Sequence, residues 1–340
     1  MKHILLIATG GTIASRPTEN GLAPQLLADD ILRCVPALGS LCRIDAVQPM
    51  NIDSTNMSPD CWLALADCLR AHYDQYDGFV IAHGTDTMAY TACALSYLVQ
   101  QSGKPIVLTG AQKSIYVQDT DARRNLYDAF VAAQDDNLAG VFIVFDGRVI
   151  LGTRARKTRT KSMNAFSSID YPTSRSFATG ASALIVARPQ TPPAFTVAGR
   201  KRLVLRLIPG MNPEVLRLLA SRFDALVIES FGVGGLPCYE QADFLSAAAA
   251  WSSAGKPIVI TTQVPHEGSD LAVYQVGARA AAQPGILQAY TMTVEAVVTK
   301  LMWILPQTRD LTEIKRLFYA PIACDLLQFE ERGQEIDESH

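Results

Sequence analysis

The chain has little histidine, no closely paired cysteines and no recognisable set of metal ligands. Five histidines are scattered among 340 residues, and none stands at the spacing of metal ligands, so neither a metal nor another cofactor is predicted. Seven cysteines form no Cys-x-x-Cys pair, and an odd, dispersed set is typical of reduced thiols rather than of a disulfide framework. These absences exclude a metalloenzyme signature and favour the cytoplasm as the location.

Long apolar runs and long charged runs are also missing. No apolar stretch approaches the ~20 residues that a membrane span needs, and the apolar start at residues 4–8 is too short for a signal peptide. The 30 basic and 33 acidic residues give a net charge of -3 without blocks of either sign. No surface for a polyanion is expected, so the chain is predicted to bind neither nucleic acid nor a membrane.

The sequence does contain a regular alternation of strand-like and helix-like segments. Strands are predicted at 3–8, 78–82, 104–108, 140–145, 203–208, 225–228 and 257–261. Helices are predicted over 87–101, 121–134 and 241–253. Two more are predicted from their starts: one after Ser58 as N-cap with Pro59 in the first turn, and one from Pro213 with Asn212 as cap. This order predicts an α/β fold with a doubly wound, mostly parallel sheet covered on both faces.

A proline-rich stretch at 188–193 interrupts the alternation and marks a domain boundary. We predict a larger N-terminal α/β domain at 1–187, a linker at 188–202 and a smaller C-terminal α/β domain at 203–340. The stretches 103–109 and 255–261 are alike. Because glycine is common at the turn from a helix into a strand, this likeness is weak support for a duplicated domain.

Two threonine-bearing turns each follow an apolar strand. The sequence TGGT at 9–12 follows the first predicted strand, and HGTDT at 83–87 follows the second. Ligands of open parallel sheets bind at the carboxyl ends of the strands, so the two turns are expected at one such edge. Glycines at 10 and 11 allow a tight turn and a close approach to a ligand. Taken alone, Thr12 is more often an N-cap or turn threonine than a nucleophile.

The first two segments, ATGGTIAS at 8–15 and AHGTDTMAY at 82–90, resemble the two signature segments of bacterial-type L-asparaginases. Three more segments follow in the order and spacing of that family: NIDSTNM at 51–57, GTRARK at 152–157 and TMTVEA at 291–296. The resemblance spans essentially the whole chain. It looks closest to the cytoplasmic type I branch, in the Bacillus-like forms that carry GLAP at 21–24.

The resemblance implies a role for each residue of the site. Thr12 is implied as the nucleophile, and Thr85, Asp86 and Lys157 as the second catalytic group, in which a lysine beside a hydroxyl handles the proton. Substrate binding is implied for the loop residues Asp53, Ser54 and Thr55, together with Thr85 and Asp86.

Each of these residues also has a plain structural interpretation. Lys157 stands in a basic cluster that could be a solvated loop, and Asp86 could cap the helix that follows it. Ser54 could belong to an Asp-Ser-Thr turn. His83 invites assignment as a base, although a lone histidine at a strand end is more often a satisfied core residue.

Several positions depart from the family pattern or resist assignment. Leu22 stands where many asparaginases place a tyrosine or threonine that assists the nucleophile. Glu229 stands where some allosteric type I relatives have arginine, so regulation at a second asparagine site is not assumed. Glu295 resembles a position near a subunit contact, or simply starts the last long helix. The GVGG at 232–235 lacks the final Gly or Ala of a dinucleotide loop and meets Pro237, which argues against a nicotinamide site.

Together these observations predict a cytoplasmic L-asparaginase that hydrolyses L-asparagine to L-aspartate and ammonia through an acyl-threonine intermediate. The small-molecule substrate is its expected partner, and a homodimer or homotetramer is its expected assembly. Two alternatives remain open: the amidase subunit of a tRNA-dependent amidotransferase, and a catalytically silent amino-acid sensor on the same scaffold.

Overall fold

A seven-stranded, mostly parallel sheet forms the core of the first half of the chain. The computed structural model describes residues 1–19, 21–173, 175–176, 194–195, 202–239 and 242–327. The strands in chain order are β1 (His3–Ala8), β2 (Arg43–Val47), β3 (Gly78–Ala82), β4 (Pro105–Thr109), β5 (Gly140–Phe145), β6 (Arg148–Leu151) and β7 (Arg175–Ser176). Their spatial order is β7-β6-β5-β4-β3-β1-β2. The five strands from β5 to β2 run parallel, while β6 and β7 are antiparallel to their neighbours.

Helices cover both faces of this sheet: α1 (Ala28–Arg33), α2 (Pro59–His72), α3 (Met88–Leu98) and α4 (Ala122–Ala133). Successive strand side chains point to opposite faces, and both faces are apolar. In β1, for example, Ile4 and Leu6 pack in a cluster with α4, whereas Leu5 and Ile7 pack in a cluster with α2 and α3. Burial on both faces explains why these strands read as continuous apolar runs instead of alternating ones.

A second, four-stranded parallel sheet follows, in the order β8-β9-β10-β11. Its strands are β8 (Arg202–Arg206), β9 (Ala225–Ser230), β10 (Ile258–Thr262) and β11 (Ile286–Gln288), and its helices are α5 (Glu214–Ala220), α6 (Phe244–Ser253), α7 (Gln275–Ala281), α8 (Val294–Ile304) and α9 (Leu311–Tyr319). The described residues also form four pairs of short antiparallel strands: Ser15–Thr18 with Gly21–Pro24, Val99–Gln100 with Ala194–Phe195, Ala155–Lys157 with Phe166–Ser168, and Cys238–Tyr239 with Ala242–Asp243.

The predicted fold class is confirmed, since a large mostly parallel sheet precedes a smaller parallel one. Several predicted boundaries were wrong. The helix predicted over 87–101 ends at Leu98, and the chain then pairs as the strand Val99–Gln100. The helix predicted from 241 begins at Phe244, where the Asp243 carboxylate accepts a hydrogen bond from the Ser246 N–H.

The predicted caps of α2 and α5 have a different geometry from the expected one. Ser58 occupies the N-cap position of α2, but its side chain accepts no capping hydrogen bond. Asn212 lies one residue before the N-cap of α5, and its side chain accepts from the Glu214 N–H at 2.9 Å. The predicted linker at 188–202 lies outside the described residues apart from 194–195 and 202. Within the described ranges no helix is long and apolar enough to cross a membrane.

Candidate active site

The two threonine-bearing turns touch each other at the carboxyl edge of the large sheet. They follow β1 and β3, which are neighbouring parallel strands. A Cβ atom built on Gly11 would lie 2.3 Å from the Cα of Gly84, and one on Gly84 would lie 2.5 Å from Ser54 Oγ. No side chain fits into such gaps, and Gly11 also has a φ of +77°, which disfavours other residues. Glycine at 11 and 84 is therefore what lets the two turns meet.

Thr12 begins a short 3-10 turn, Thr12–Ala14, whose N-cap position is Gly11. The N-cap interpretation of Thr12 was therefore wrong. Its side chain is half-buried, and within the described part of the chain no group hydrogen-bonds to its hydroxyl. The backbone N–H groups of Thr12 and Thr85 likewise have no acceptor among the described residues. One hydroxyl and two backbone donors are thus free at this edge.

Lys157 reaches the second turn from the end of the strand Ala155–Lys157. Its ammonium donates to Thr85 Oγ1 at 2.7 Å and to Asp86 Oδ1 at 2.6 Å. The Lys157 side chain is only 15% exposed, whereas that of Asp86 is 57% exposed. The interpretation of Lys157 as part of a solvated loop was wrong. Asp86 does not cap α3 either, since the N-cap position there is Thr87.

Thr85 is buried and makes a second hydrogen bond that the sequence analysis missed. Its hydroxyl donates to Gln112 Oε1 at 3.3 Å, and the Gln112 amide donates in turn to the Ser162 carbonyl at 3.1 Å. Gln112 lies just after β4, which is the other neighbour of β3. The strand order, in which β4 is a neighbour of β3, brings this third turn to the same edge. The Asp121 carboxylate holds Gln112 in place by accepting its backbone N–H at 2.9 and 3.1 Å.

The predicted substrate-binding loop lies beside the two turns, but its three residues behave differently. Ser54 is buried against Gly84, and its carbonyl accepts from the Thr87 hydroxyl at 2.8 Å. The Asp53 carboxylate instead accepts from the N–H and the hydroxyl of Thr55, at 2.8 and 2.9 Å. Both Asp53 and Thr55 are exposed. The structure thus brings Ser54 to Gly84, while Asp53 and Thr55 form the local turn that was the alternative interpretation.

The C-terminal half of the chain holds the segment that leads to Lys157. Arg154 is fully buried, and its guanidinium donates to the Cys324 carbonyl at 2.8 Å and to the Thr291 carbonyl at 2.7 Å. The Thr153 hydroxyl donates to the Ala323 carbonyl at 2.6 Å. These contacts fix the backbone within three residues of the lysine. Within the basic cluster, Arg154 is therefore structural, whereas Lys157 lies at the site.

Glu295, at the start of α8, lies close to Arg156, which is the residue before Lys157. Its Oε1 is 3.7 Å from Arg156 Nε, and its Oε2 is buried without a hydrogen-bond partner among the described residues. Burial raises the pKa of the Glu295 carboxyl, and the nearby Arg156 opposes that shift. A place for Glu295 near a subunit contact stays a prediction.

The structure also places Leu22 and His83, two further residues that the sequence analysis discussed. The backbone of Leu22 pairs with Pro17 in the hairpin that follows Thr12. His83 is fully buried with both ring nitrogens hydrogen-bonded, which confirms its interpretation as a satisfied core residue.

The fold and the two linked turns define a known class of protein. Residues 3–189 match the family described as "Asparaginase, N-terminal", and residues 203–318 match the "Glutaminase/Asparaginase C-terminal domain". The chain belongs to the asparaginase family. The stretch between the two matches overlaps the linker predicted at 188–202.

Individual relatives match over nearly the full chain. An L-asparaginase of Thermococcus kodakarensis is 39% identical, over 95% of this chain and 98% of its own length, and L-asparaginase 1 of Escherichia coli K12 is 32% identical, over 93% and 95%. The solved structure of the thermostable L-asparaginase from Thermococcus kodakarensis superposes with a TM-score of 0.89 and 37% identity, covering 96% of this chain and 99% of that chain. One subunit of the glutamyl-tRNA(Gln) amidotransferase of Metallosphaera sedula is 30% identical, over 92% of this chain and 74% of its own length.

Proposed function

We propose that this protein is an L-asparaginase that hydrolyses L-asparagine to L-aspartate and ammonia through an acyl-threonine intermediate. The observation that carries the proposal is the ammonium of Lys157 bonded to both Thr85 and Asp86, on a turn that touches the turn of Thr12. Amide hydrolysis needs a nucleophile, a route for protons and donors for the oxyanion. This sheet edge offers all three.

In the first half-reaction the Thr12 hydroxyl attacks the side-chain carbonyl carbon of asparagine. The carbonyl oxygen becomes an oxyanion, for which the free backbone N–H groups of Thr12 and Thr85 are the proposed donors. The carbon–nitrogen bond then breaks and ammonia leaves, and the proton that the Thr12 hydroxyl gives up on attack passes through the Thr85–Lys157 pair to the leaving nitrogen. The Thr85 hydroxyl accepts directly from the Lys157 ammonium, so these two groups can exchange a proton.

In the second half-reaction water attacks the Thr12 ester, and aspartate is released with the hydroxyl restored. The same Thr85–Lys157 pair takes one proton from the attacking water and returns it to the Thr12 oxygen as the ester bond breaks, in keeping with its use as an acid in the first half-reaction. We assign the charged ends of the substrate to Ser54, Asp53, Thr55 and Asp86. The Asp86 carboxylate bonds to Lys157 and is still 57% exposed, so it can also accept from a substrate ammonium.

We also propose the finer points of assignment: a type I enzyme of the Bacillus-like kind, a cytoplasmic location, a homodimer or homotetramer, and a division into domains at 188–202. The L-asparaginase 1 relative supports the type I assignment. Seven unpaired cysteines, of which two are buried, support a reducing compartment.

A second candidate function is the amidase subunit of a tRNA-dependent amidotransferase, because relatives with that name share 30–33% identity with this chain. Such a subunit supplies ammonia from an amide to a partner instead of releasing it freely. It is the weaker candidate, since the L-asparaginase relative is 39% identical and matches along 98% of its own length.

Ammonia release by the purified protein tests the proposal. L-asparagine and L-glutamine are supplied separately, and trapped protein is analysed by mass spectrometry for an aspartyl adduct on Thr12. We expect rapid release from L-asparagine and an adduct that Thr12→Ala lacks. Ammonia release from L-glutamine alone would favour the amidotransferase alternative. The same holds if neither amino acid is hydrolysed in the absence of a partner protein.

A further inference from the structure

His83 is the most enclosed titratable group beside the site, and the mechanism above does not use it. It lies at the end of β3, directly before Gly84, and is fully buried. Its Nδ1 is 2.6 Å from the Gly84 carbonyl oxygen, and its Nε2 is 2.9 Å from Thr91 Oγ1 on α3. Both ring nitrogens are therefore fixed, one of them to the backbone of the turn that carries Thr85.

The directions of these hydrogen bonds follow from the chemistry of the partners. A carbonyl oxygen can only accept, so Nδ1 carries the ring proton and Nε2 of the neutral ring is an acceptor. The Thr91 hydroxyl must then donate to Nε2, and the Thr91 oxygen accepts from Trp62 Nε1 at 3.0 Å. Donation runs in one direction from Trp62 through Thr91 and His83 to Gly84. Burial lowers the pKa of His83 to about 4, which keeps the ring neutral at ordinary pH.

The Gly84 carbonyl belongs to the same peptide unit as the Thr85 N–H. That unit is planar and trans, so its C=O and N–H point in opposite directions. A carbonyl held against the buried His83 ring forces the Thr85 N–H to face away from the ring. Without this bond the peptide could rotate, because glycine at 84 has unusual backbone freedom. In the described chain the Thr85 N–H has no acceptor of its own.

We infer that His83 is a positioning residue that aims the Thr85 N–H as an oxyanion donor by holding the Gly84 carbonyl, with Thr91 and Trp62 fixing the ring. The inference rests on the proposed function, because an oxyanion forms only if this edge performs acyl transfer. His83 itself neither touches substrate nor moves a proton. It sets the geometry of the turn before any substrate arrives, so that no reorganisation is needed during the reaction.

Paired substitutions of His83 test this role. In His83→Asn the amide nitrogen takes the place of Nδ1 and still donates to the carbonyl, whereas His83→Gln places its amide near Nε2 and loses that donor. Loss of a complete oxyanion donor lowers kcat by roughly 10²–10³-fold, so a misaligned one is expected to lower kcat in His83→Gln by about 10- to 100-fold. We expect His83→Asn to retain several times more activity, and KM for L-asparagine to stay within about threefold in both.

A second pair covers the case in which the His83 variants fold poorly. Thr91→Val keeps the shape but removes the hydroxyl, while Thr91→Ser keeps the hydroxyl. Ser96→Ala is the matched control, because Ser96 is a buried hydroxyl on the same helix that, among the described residues, donates to the Ala92 carbonyl alone, at 2.8 Å. We expect kcat to fall by about tenfold in Thr91→Val, and to stay near wild type in Thr91→Ser and Ser96→Ala. All three variants are compared well below their unfolding midpoints.

The outcomes separate the two proposals. Equal kcat values for His83→Asn and His83→Gln, or a loss of thermal stability without a loss of kcat in Thr91→Val, would overturn the inference and leave the asparaginase intact. A wild-type protein that releases no ammonia from L-asparagine would overturn the proposed function itself. A selective loss of kcat in His83→Gln and in Thr91→Val, with KM preserved, would support both.

Discussion

The two parallel sheets end in carboxyl edges of opposite character. At the edge of the large sheet the Thr12 hydroxyl and the N–H groups of Thr12 and Thr85 have no partner among the described residues. At the edge of the small sheet two buried hydroxyls bond instead to nearby backbone: Ser230 Oγ donates to the Thr261 carbonyl at 2.6 Å, and Thr262 Oγ1 to the Gly232 carbonyl at 2.5 Å. The same strand-and-turn architecture therefore makes a site only where turn groups are left free.

The C-terminal half of the chain contributes in another way, by holding the segment that leads to Lys157. Arg154 and Thr153 bond to carbonyls at 291 and 323–324. In the same half of the chain, Lys300 of α8 and Asp325 form a fully buried ion pair at 2.6 Å. The Tyr97 hydroxyl of α3 also donates to the Asp325 carboxylate. One half of the molecule thus presents free groups, and the other fixes the position of the proton-handling lysine.

The comparison of the two edges is tested most strongly by removing one hydroxyl from each. Thr12→Ala is expected to lower turnover by at least ~10³-fold with folding intact, because loss of a nucleophile has effects of that size or more. Thr262→Ala is the control at the other edge. It removes a satisfied hydroxyl, so we expect a lower unfolding midpoint and unchanged turnover. Thr12→Ala activity within tenfold of wild type in an ammonia-release assay would contradict the assignment.

The contribution of the second half is tested at its buried ion pair. Lys300→Met leaves the Asp325 carboxylate buried without its cation, and breaking such a pair lowers stability by about 3–5 kcal/mol. Urea unfolding followed by circular dichroism measures the change. Pairing the substitution with Asp325→Leu removes the stranded charge and should recover much of the loss. If Lys300→Met alone were as stable as wild type, the buried pair would not be what stabilises the C-terminal half.

An exposed ion pair provides the control for that experiment. Arg316 and Glu313 of α9 bond to each other at 2.7 Å on the surface. Since exposed pairs contribute little, Arg316→Met is expected to leave the unfolding midpoint unchanged. An equal loss of stability in Lys300→Met and Arg316→Met would mean that burial is not what makes the Lys300–Asp325 pair important.

The third test concerns Lys157, which separates an enzyme from a silent amino-acid sensor. Lys157→Met keeps the length of the side chain but removes the ammonium that Thr85 and Asp86 share. We expect kcat to fall by ~10²-fold or more, the usual effect of a positioned acid or base, while affinity for L-asparagine or L-aspartate stays within about tenfold. Calorimetry and ammonia release on one preparation measure both quantities. Lost binding with normal turnover at saturation would make Lys157 a substrate anchor instead.

Much of the large sheet could be predicted from the sequence because buried parallel strands are uninterrupted apolar runs that end in glycine-rich turns. The same rule placed Thr12 and Thr85 at one edge. Gln112 escaped notice because nothing in a lone glutamine after β4 distinguishes it until the strand order makes β4 a neighbour of β3. The end of α3 at Leu98 was missed for a similar reason, since Val99–Gln100 pairs with the distant Ala194–Phe195.

Spacing alone could not predict the roles within the basic cluster, because it does not say which cation is buried; only the family resemblance singled out Lys157. Arg154 and Lys157 stand three residues apart, yet the first bonds to the C-terminal half and the second to Thr85 and Asp86. Their partners lie at 291 and at 85–86, far away in the sequence. Contacts of this kind depend on tertiary packing, and local patterns of charge carry no information about that.

The smallest expected effect is a pH dependence of stability that comes from the buried ring of His83. Its pKa falls from 6.5 to about 4 on burial, so the folded state binds fewer protons than the unfolded state between these values. The contribution of the neutral His83 ring to the free energy of unfolding is therefore fully present above pH 6.5, and it is lost as the pH falls toward 4. By linkage, stability should drop by about 2 kcal/mol between pH 7 and pH 5 from this group alone.

Unfolding of the wild type and of His83→Asn at both pH values isolates that contribution. Burial raises the pKa of the Asp128 and Glu295 carboxyls, which favours the folded state as the pH falls and so acts in the opposite direction. Because both variants contain these carboxyls, the difference between their pH dependences belongs to His83. We expect His83→Asn to be less sensitive to acid than the wild type. Parallel curves for the two proteins would mean that His83 is not held neutral at the turn, and its hydrogen bond to Gly84 could not then be assigned a fixed direction.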